Sequence, residues 1–197
     1  MNQRRQFLRA YALAALAVPS LSNAQHAPKT SSSPILLTVS GLIGAGNRGP
    51  LDPALDQMMA KQKIKFDKAQ CFDFAAITAL PSVTIKPTLE YDGKPHMLKG
   101  PLLVDVMKAC GVKVTDKTAF FLRAVDGYAA QVAAAEALQY RYIVATHLDG
   151  QPMALGGLGP LWAVYDADRF PDMMAKPLPA RFATCPWATY HIEVKEG

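Results

Sequence analysis

The apolar pattern changes period several times along the chain, and each change marks an element. Residues 35–43 are apolar and β-branched, which predicts a strand, and residues 44–53, with three glycines and two prolines, predict the loop that ends it. Asp52 is positioned to cap a short helix carrying Leu55, Met58 and Met59. Asp73 is positioned to cap a second, whose Phe74, Ile77 and Leu80 share a face before Pro81 stops it. Residues 83–90 alternate Val, Ile, Pro and Leu with polar side chains, predicting a strand that Pro87 confines to an edge or a bulge. Pro101 suits the first turn of a helix, with Leu102, Leu103, Val106, Met107 and Cys110 as its buried stripe up to Gly111. Strands then dominate, over residues 119–125, 128–132, 142–147, 161–165 and 190–194, and Asp149-Gly150 between Leu148 and Pro152 is a hairpin turn signal. The expected class is α+β, mostly strand with peripheral helices. No internal repeat and no heptad pattern is present.

A length of 197 residues with half of them hydrophobic fits one domain. The net charge of +5 misleads, because Arg4, Arg5 and Arg9 lie in the first 24 residues, which hold no acid; without them 18 basic face 16 acidic side chains. That balance argues against nucleic-acid binding or a polybasic membrane surface, which need clustered cations. The N-terminus has the parts of a secretory signal: Arg4-Arg5, an apolar stretch over residues 10–18, and Ser22 and Ala24 before Gln25. Arg4-Arg5-Gln6-Phe7-Leu8-Arg9 resembles the twin-arginine consensus, and the apolar run, broken at Pro19, is far shorter than the ~20 residues of a membrane span. The expected organisation is a signal over residues 1–24, a Ser/Pro-rich leader over 25–34 and one domain over 35–197, exported to the periplasm.

Candidate chemistry is sparse. Cys71, Cys110 and Cys185 are the only thiols, with no C-x-x-C pair, so a zinc site is not expected and disulfide pairing stays open. Gly44-x-Gly46-x-x-Gly49 spells a dinucleotide fingerprint, but Pro50 and Pro53 break the helix that would hold a pyrophosphate. Serines cluster in the leader and none of the rest sits in a nucleophile elbow, so no catalytic residue is assigned.

Several stretches in order carry a resemblance. Residues 37–41 (Leu-Thr-Val-Ser-Gly), 72–81 (from Phe72-Asp73-Phe74 to Leu80-Pro81), and 100–107 (Gly100-Pro101-Leu102-Leu103 onward) form its first half. Asp126-Gly127-Tyr128, residues 144–153, residues 159–165 and Trp187 with Ile192-Glu193-Val194 form its second. Together they resemble the sulfite-oxidase-type molybdopterin domain across essentially the whole of residues 35–197. In that family a cysteine just after the strand corresponding to residues 83–90 holds molybdenum. Here the stretch reads Thr88-Leu89-Glu90-Tyr91-Asp92-Gly93, and neither Tyr nor Glu replaces a soft thiolate. Gly44-Ala45-Gly46-Asn47-Arg48 echoes the family's metal loop but lies upstream of Asp73, where that loop does not belong.

The resemblance therefore narrows to periplasmic members lacking that cysteine, which bind a free reduced pterin and report it to a membrane receptor controlling cyclic-di-GMP. The alternative is a molybdopterin-dependent oxidoreductase with an unusual metal ligand such as Cys185. A pterin calls for an aromatic wall and a carboxylate facing its 2-amino and N3 hydrogens. Glu90 or Asp92 beside Tyr91, and Asp126 beside Tyr128, offer that pairing; Trp162 and Trp187 offer stacking surface, and Arg181 or His147 could reach ring or side-chain oxygens. Each has a plainer role: Trp162 as core, Asp126-Gly127 as a turn, Glu90 and Asp92 as solvated charges, His147 as a surface residue, Arg181 as half of an ion pair.

Overall fold

The structure, a computed structural model, describes residues 33–197; the twin-arginine segment, the cleavage point after Ala24 and the leader up to residue 32 lie outside the described residues. Among the described residues, strands run in chain order as β1 (Ile35–Gly41), β2 (Ala69–Asp73), β3 (Ser82–Ile85), β4 (Leu98–Pro101), β5 (Thr118–Ala124), β6 (Ala129–Ala133), β7 (Ile143–Ala145), β8 (His147–Leu148), β9 (Gln151–Pro152), β10 (Trp162–Val164) and β11 (Thr189–Glu196). Short helices among the described residues join them: α1 (Gln57–Lys61), α2 (Phe74–Thr78), α3 (Leu103–Ala109), α4 (Ala134–Gln139) and α5 (Pro171–Met174). The class is α+β, as the pattern predicts.

The main sheet has the order β2-β1-β11-β5-β6. Its β1 and β11 lie parallel, with Thr38 opposite His191, while the other pairs are antiparallel. A parallel pair needs a long crossover, and nearly all the intervening chain serves as one. Leu37 and Val39 on one face of β1, and Thr38 and Ser40 on the other, are all buried, so the strand is covered on both sides. One core cluster joins Leu37 and Val39 to Phe120, Leu122, Met107, Trp162 and Ile192. A smaller one holds Met59, Ile64 and Tyr190, packed on by Leu51, Phe66 and Val125. A second sheet runs β3-β4-β8-β9, and β7 pairs with β10.

Two glycines are fixed by close approach. A Cβ on Gly100 would lie 2.0 Å from the Val144 carbonyl oxygen, and one on Gly41, at φ +89°, would lie 2.1 Å from that of Val194.

Several elements differ from the pattern's expectation. Asp52 does not cap α1: its Oδ1 accepts from the Ala54 amide at 2.8 Å, and α1 starts only at Gln57. Asp73 does cap α2, accepting from the Ala76 amide at 2.7 Å. The strand expected over residues 83–90 stops at Ile85, two residues before Pro87, and lies at a sheet edge. Pro101 ends β4 instead of opening α3, whose N-cap is Leu102. Three helices end in the same way: after α1, α3 and α4 the chain turns left-handed at Lys63 (φ 60°), Gly111 (φ 70°) and Arg141 (φ 54°). In each, the next amide reaches back to the carbonyl five residues earlier, from Ile64 to Met59, Val112 to Met107 and Tyr142 to Ala137. This is the Schellman closure, and only Gly111 advertises it by residue type. The 44–49 loop carries no helix, and its Asn47 is spent on structure, bonding both the carbonyl and the amide of Cys71 at 2.9 and 2.7 Å. All three cysteines are free thiols and buried.

Candidate functional site

Three segments remote in sequence meet beside the β5–β6 turn and enclose a concavity of about 260 Å³. The tip of the β3–β4 loop brings Glu90 and Tyr91, the turn itself brings Asp126 and Tyr128, and the 3-10 turn Leu178–Phe182 with the stretch that follows it brings Phe182, Cys185 and Trp187. Tyr91 and Trp187 also border a shallower recess against Gly156, Gly157 and Leu158, so the two rings stand on the wall between them.

Each segment is held by identifiable contacts. Gly127 at φ +94° allows the turn, the Asp126 carboxylate accepts from the Tyr128 amide at 2.8 Å, and the Tyr128 hydroxyl donates to the Ala183 carbonyl across the cavity. The Val125 amide bonds to the Ala188 carbonyl at 3.2 Å, fastening the turn to the Trp187 segment. That segment is pinned from beneath: Trp162 Nε1 donates to the Cys185 carbonyl at 2.9 Å, the Tyr142 hydroxyl lies 2.6 Å from that of Thr184, and Tyr165 donates to the Arg181 carbonyl. The Glu90–Tyr91 loop closes on itself through the Leu89 amide to the Lys94 carbonyl at 2.9 Å. It is tied down where the Thr88 amide donates to Asp168 at 2.7 Å.

The cavity's electrostatics are acidic. Glu90 and Asp126 are its charged lining residues, and among the described residues no Lys, Arg or His lines it. Burial and the Glu90 carboxylate together push the Tyr91 phenol up to about 12, so it stays a neutral hydroxyl. Cys185 reaches the lining but is largely buried, and burial pushes its thiol well above its ordinary range.

Of the nine residues singled out from sequence, five converge here: Glu90, Tyr91, Asp126, Tyr128 and Trp187. The other four do not line the cavity. Trp162 is 1% exposed, so it is core beneath the wall and no ligand surface. Arg181 is engaged through all three of its nitrogens, Nε with the Lys176 carbonyl, Nη1 with Asp168 and Nη2 with the Met174 carbonyl; through Asp168 it helps position the Thr88 end of the loop. His147 lies on β8, with Nδ1 2.8 Å from the Thr146 hydroxyl and its ring 5.6 Å from Phe74. Asp92 points away to His96. Sequence reading missed Phe182, Ala183, Pro179 and Pro186; the signal was there in the proline-punctuated run around Phe182.

His96 lies between two carboxylates, Nε2 3.0 Å from Asp92 and Nδ1 2.7 Å from Asp149, and so clips the loop to the β8–β9 turn. The contacts raise the His96 pKa, the hydrogen bond to Asp149 most, and hold both aspartates below their ordinary range, the His96 bond most. A raised histidine contributes below its unfolded value of ~6.5 and loses that contribution as pH rises through the folded value. Amide order parameters at Asp92, Gly93 and Lys94 are therefore expected to fall as the pH rises through the raised His96 value, above ~6.5, and His96→Ala to show the high-pH mobility throughout. An unchanged profile in the variant would remove the clip from the account.

Among the described residues no three His, Cys, Asp or Glu side chains cluster as a metal-binding set. No described helix is long and apolar enough to cross a membrane. No family model matches the chain, and no curated protein does either.

Proposed function

We propose that this chain is a periplasmic pterin-binding protein of the sulfite-oxidase-like fold. In this reading it is exported by the twin-arginine route and reports the ligand to a membrane cyclic-di-GMP enzyme. The observation that carries the reading is the convergence of two carboxylates and three exposed aromatic rings, from three separate segments, on one small concavity. At about 260 Å³ the space lies just below the ~300–1,000 Å³ of drug-sized sites, which suits a bare bicyclic ring. A reduced pterin offers its 2-amino and N3 hydrogens to a carboxylate, a charge-assisted pairing, and its faces to Tyr91 or Trp187.

The lining weighs against molybdopterin as the ligand. Its phosphate calls for Arg, Lys or a bundle of amides, yet the cavity presents Glu90 and Asp126 with no cation, and Arg181 is committed elsewhere. Molybdenum calls for a thiolate, and the loop tip that the resemblance places at the metal carries Glu90 and Tyr91 in place of a cysteine. Cys185 does reach the lining, and that is the one observation favouring the oxidoreductase alternative.

The test is analysis of the protein purified from its periplasm for bound fluorescent pterin and for molybdenum. Stoichiometric pterin without molybdenum is expected. Glu90→Gln is expected to weaken rebinding of a reduced pterin by about ten- to a hundredfold, the worth of a charge-assisted bond, with the fold intact. Molybdenum together with molybdopterin would overturn the reading and make this an enzyme.

A further inference from the structure

A second groove, of about 660 Å³, lies on the segment between β1 and β2, lined by Pro50, Leu51, Pro53, Ile64 and Phe66 with Lys63 and Lys65 on its rim. The run from Lys61 to Lys68 holds four lysines against Asp67 alone, and among the described residues none of those lysines makes an ion pair. The apolar surface continues outside the groove at Leu55, 83% exposed, and Met58, 42% exposed. An apolar trough with unpaired cations on its lip is complementary to an extended chain that alternates apolar and acidic side chains. It suits a bilayer poorly, because it is concave and carries Asp67.

The groove is also joined to the cavity described above. Gln62, the C-cap of α1, donates to the Val125 carbonyl at 3.3 Å and accepts from the Tyr190 hydroxyl at 2.9 Å. Val125 packs on the same small cluster as Leu51, Ile64 and Phe66, and is followed directly by Asp126. The groove floor and the turn bearing Asp126 and Tyr128 therefore share one packed unit.

We propose that this groove is the docking surface for an acidic, extended segment of a partner protein, and that Gln62 and Val125 make docking sensitive to ligand in the cavity. The second half rests on the cavity being a pterin site. A photoactivatable benzophenone side chain at position 53 of the full chain, irradiated in the producing cell, should give an adduct with one protein through a peptide of net negative charge. Lys63→Glu with Lys65→Glu should reduce its yield about tenfold or more, and exchanging the acids of that peptide for lysine should restore it. Adducts with lipid only, with a second copy of this chain, or with a protein that ignores charge reversal overturn the docking, as does no adduct.

Added tetrahydrobiopterin should shift the yield at least about twofold, and Gln62→Ala should abolish the shift while leaving pterin binding, followed by fluorescence, unchanged. Binding without a shift overturns the coupling alone. No pterin binding removes the cavity reading and the coupling together, leaving docking to stand or fall on charge reversal.

Discussion

Trp162→Ala is expected to cost about 3–5 kcal/mol of stability, the cost of emptying a large aromatic site in a packed core. The indole is 1% exposed, and its ring lies 6.2 Å from Phe182. Deleting it removes packing beneath the 3-10 turn and also the Nε1 donor to the Cys185 carbonyl. Trp162→Phe separates the two contributions: it keeps most of the apolar volume but leaves that carbonyl without its indole donor, for about 1–3 kcal/mol. The same contact supports the segment that presents Trp187, so the Phe variant should also bind a reduced pterin less tightly while still folding. Urea unfolding with pterin titration of both variants checks this. Unchanged stability with lost binding would make Trp162 a ligand surface after all.

That result bears on how much of the site is readable in the chain. Trp162 and Trp187 both stand near the end of a strand, and composition cannot say which indole faces inward. The difference is set by pairing: Trp162 lies between Ala145 on β7 and the carbonyl of Cys185, whereas Trp187 sits on the loop before β11. Glu90 with Tyr91, and Asp126 with Tyr128, stand out in the chain because each pairs a carboxylate with an aromatic ring at a loop or turn, the combination that the resemblance to pterin-binding proteins calls for. Arg181 illustrates the converse. An arginine near a candidate site looks like a ligand contact until its local acceptors at Asp168, Met174 and Lys176 are known.

At the level of elements, side chains that act locally were legible. Asp73 caps α2, Asp149-Gly150 turns β8 into β9, and Gly111 closes α3, each through contacts within a few residues. Elements that depend on distant partners were not. The short β2, whose Ala-Gln-Cys-Phe-Asp has little β-branched character, is a strand because β1 supplies its hydrogen bonds, and the alanine-rich α4, with Ala133 at its N-cap and no side-chain bond there, persists because Ala134 and Ala137 are buried. Gly100 carries no signal in the residue pattern, and only the approach of Val144 explains it.

His191 sets the second large effect, and it concerns acid. The ring is fully buried, its Nε2 is 2.9 Å from the Ser40 hydroxyl, and among the described residues its Nδ1 has no hydrogen-bond partner. A serine beside an imidazole has the outline of a nucleophilic pair, but both side chains are at 0% exposure and no carboxylate orients the ring, so no substrate can approach. What the pair does is hold a neutral histidine. Burial, with Arg123 and then Lys195 adding to it against the opposing pull of Glu193, lowers the pKa to about 4. A histidine depressed from ~6.5 contributes stability that is fully present above the unfolded value and is lost as pH falls toward the folded one, here worth about 3 kcal/mol. Urea midpoints are therefore expected to drop between about pH 6.5 and about pH 4, more steeply than the partly exposed ion pairs alone would produce. His191→Gln, which keeps a bond to Ser40 and cannot take a proton, should flatten that window whatever its own cost at neutral pH. If the two proteins lose stability in parallel, His191 is protonated in the folded state, and the β1–β11 seam, where Thr38 faces it, must open to admit the charge.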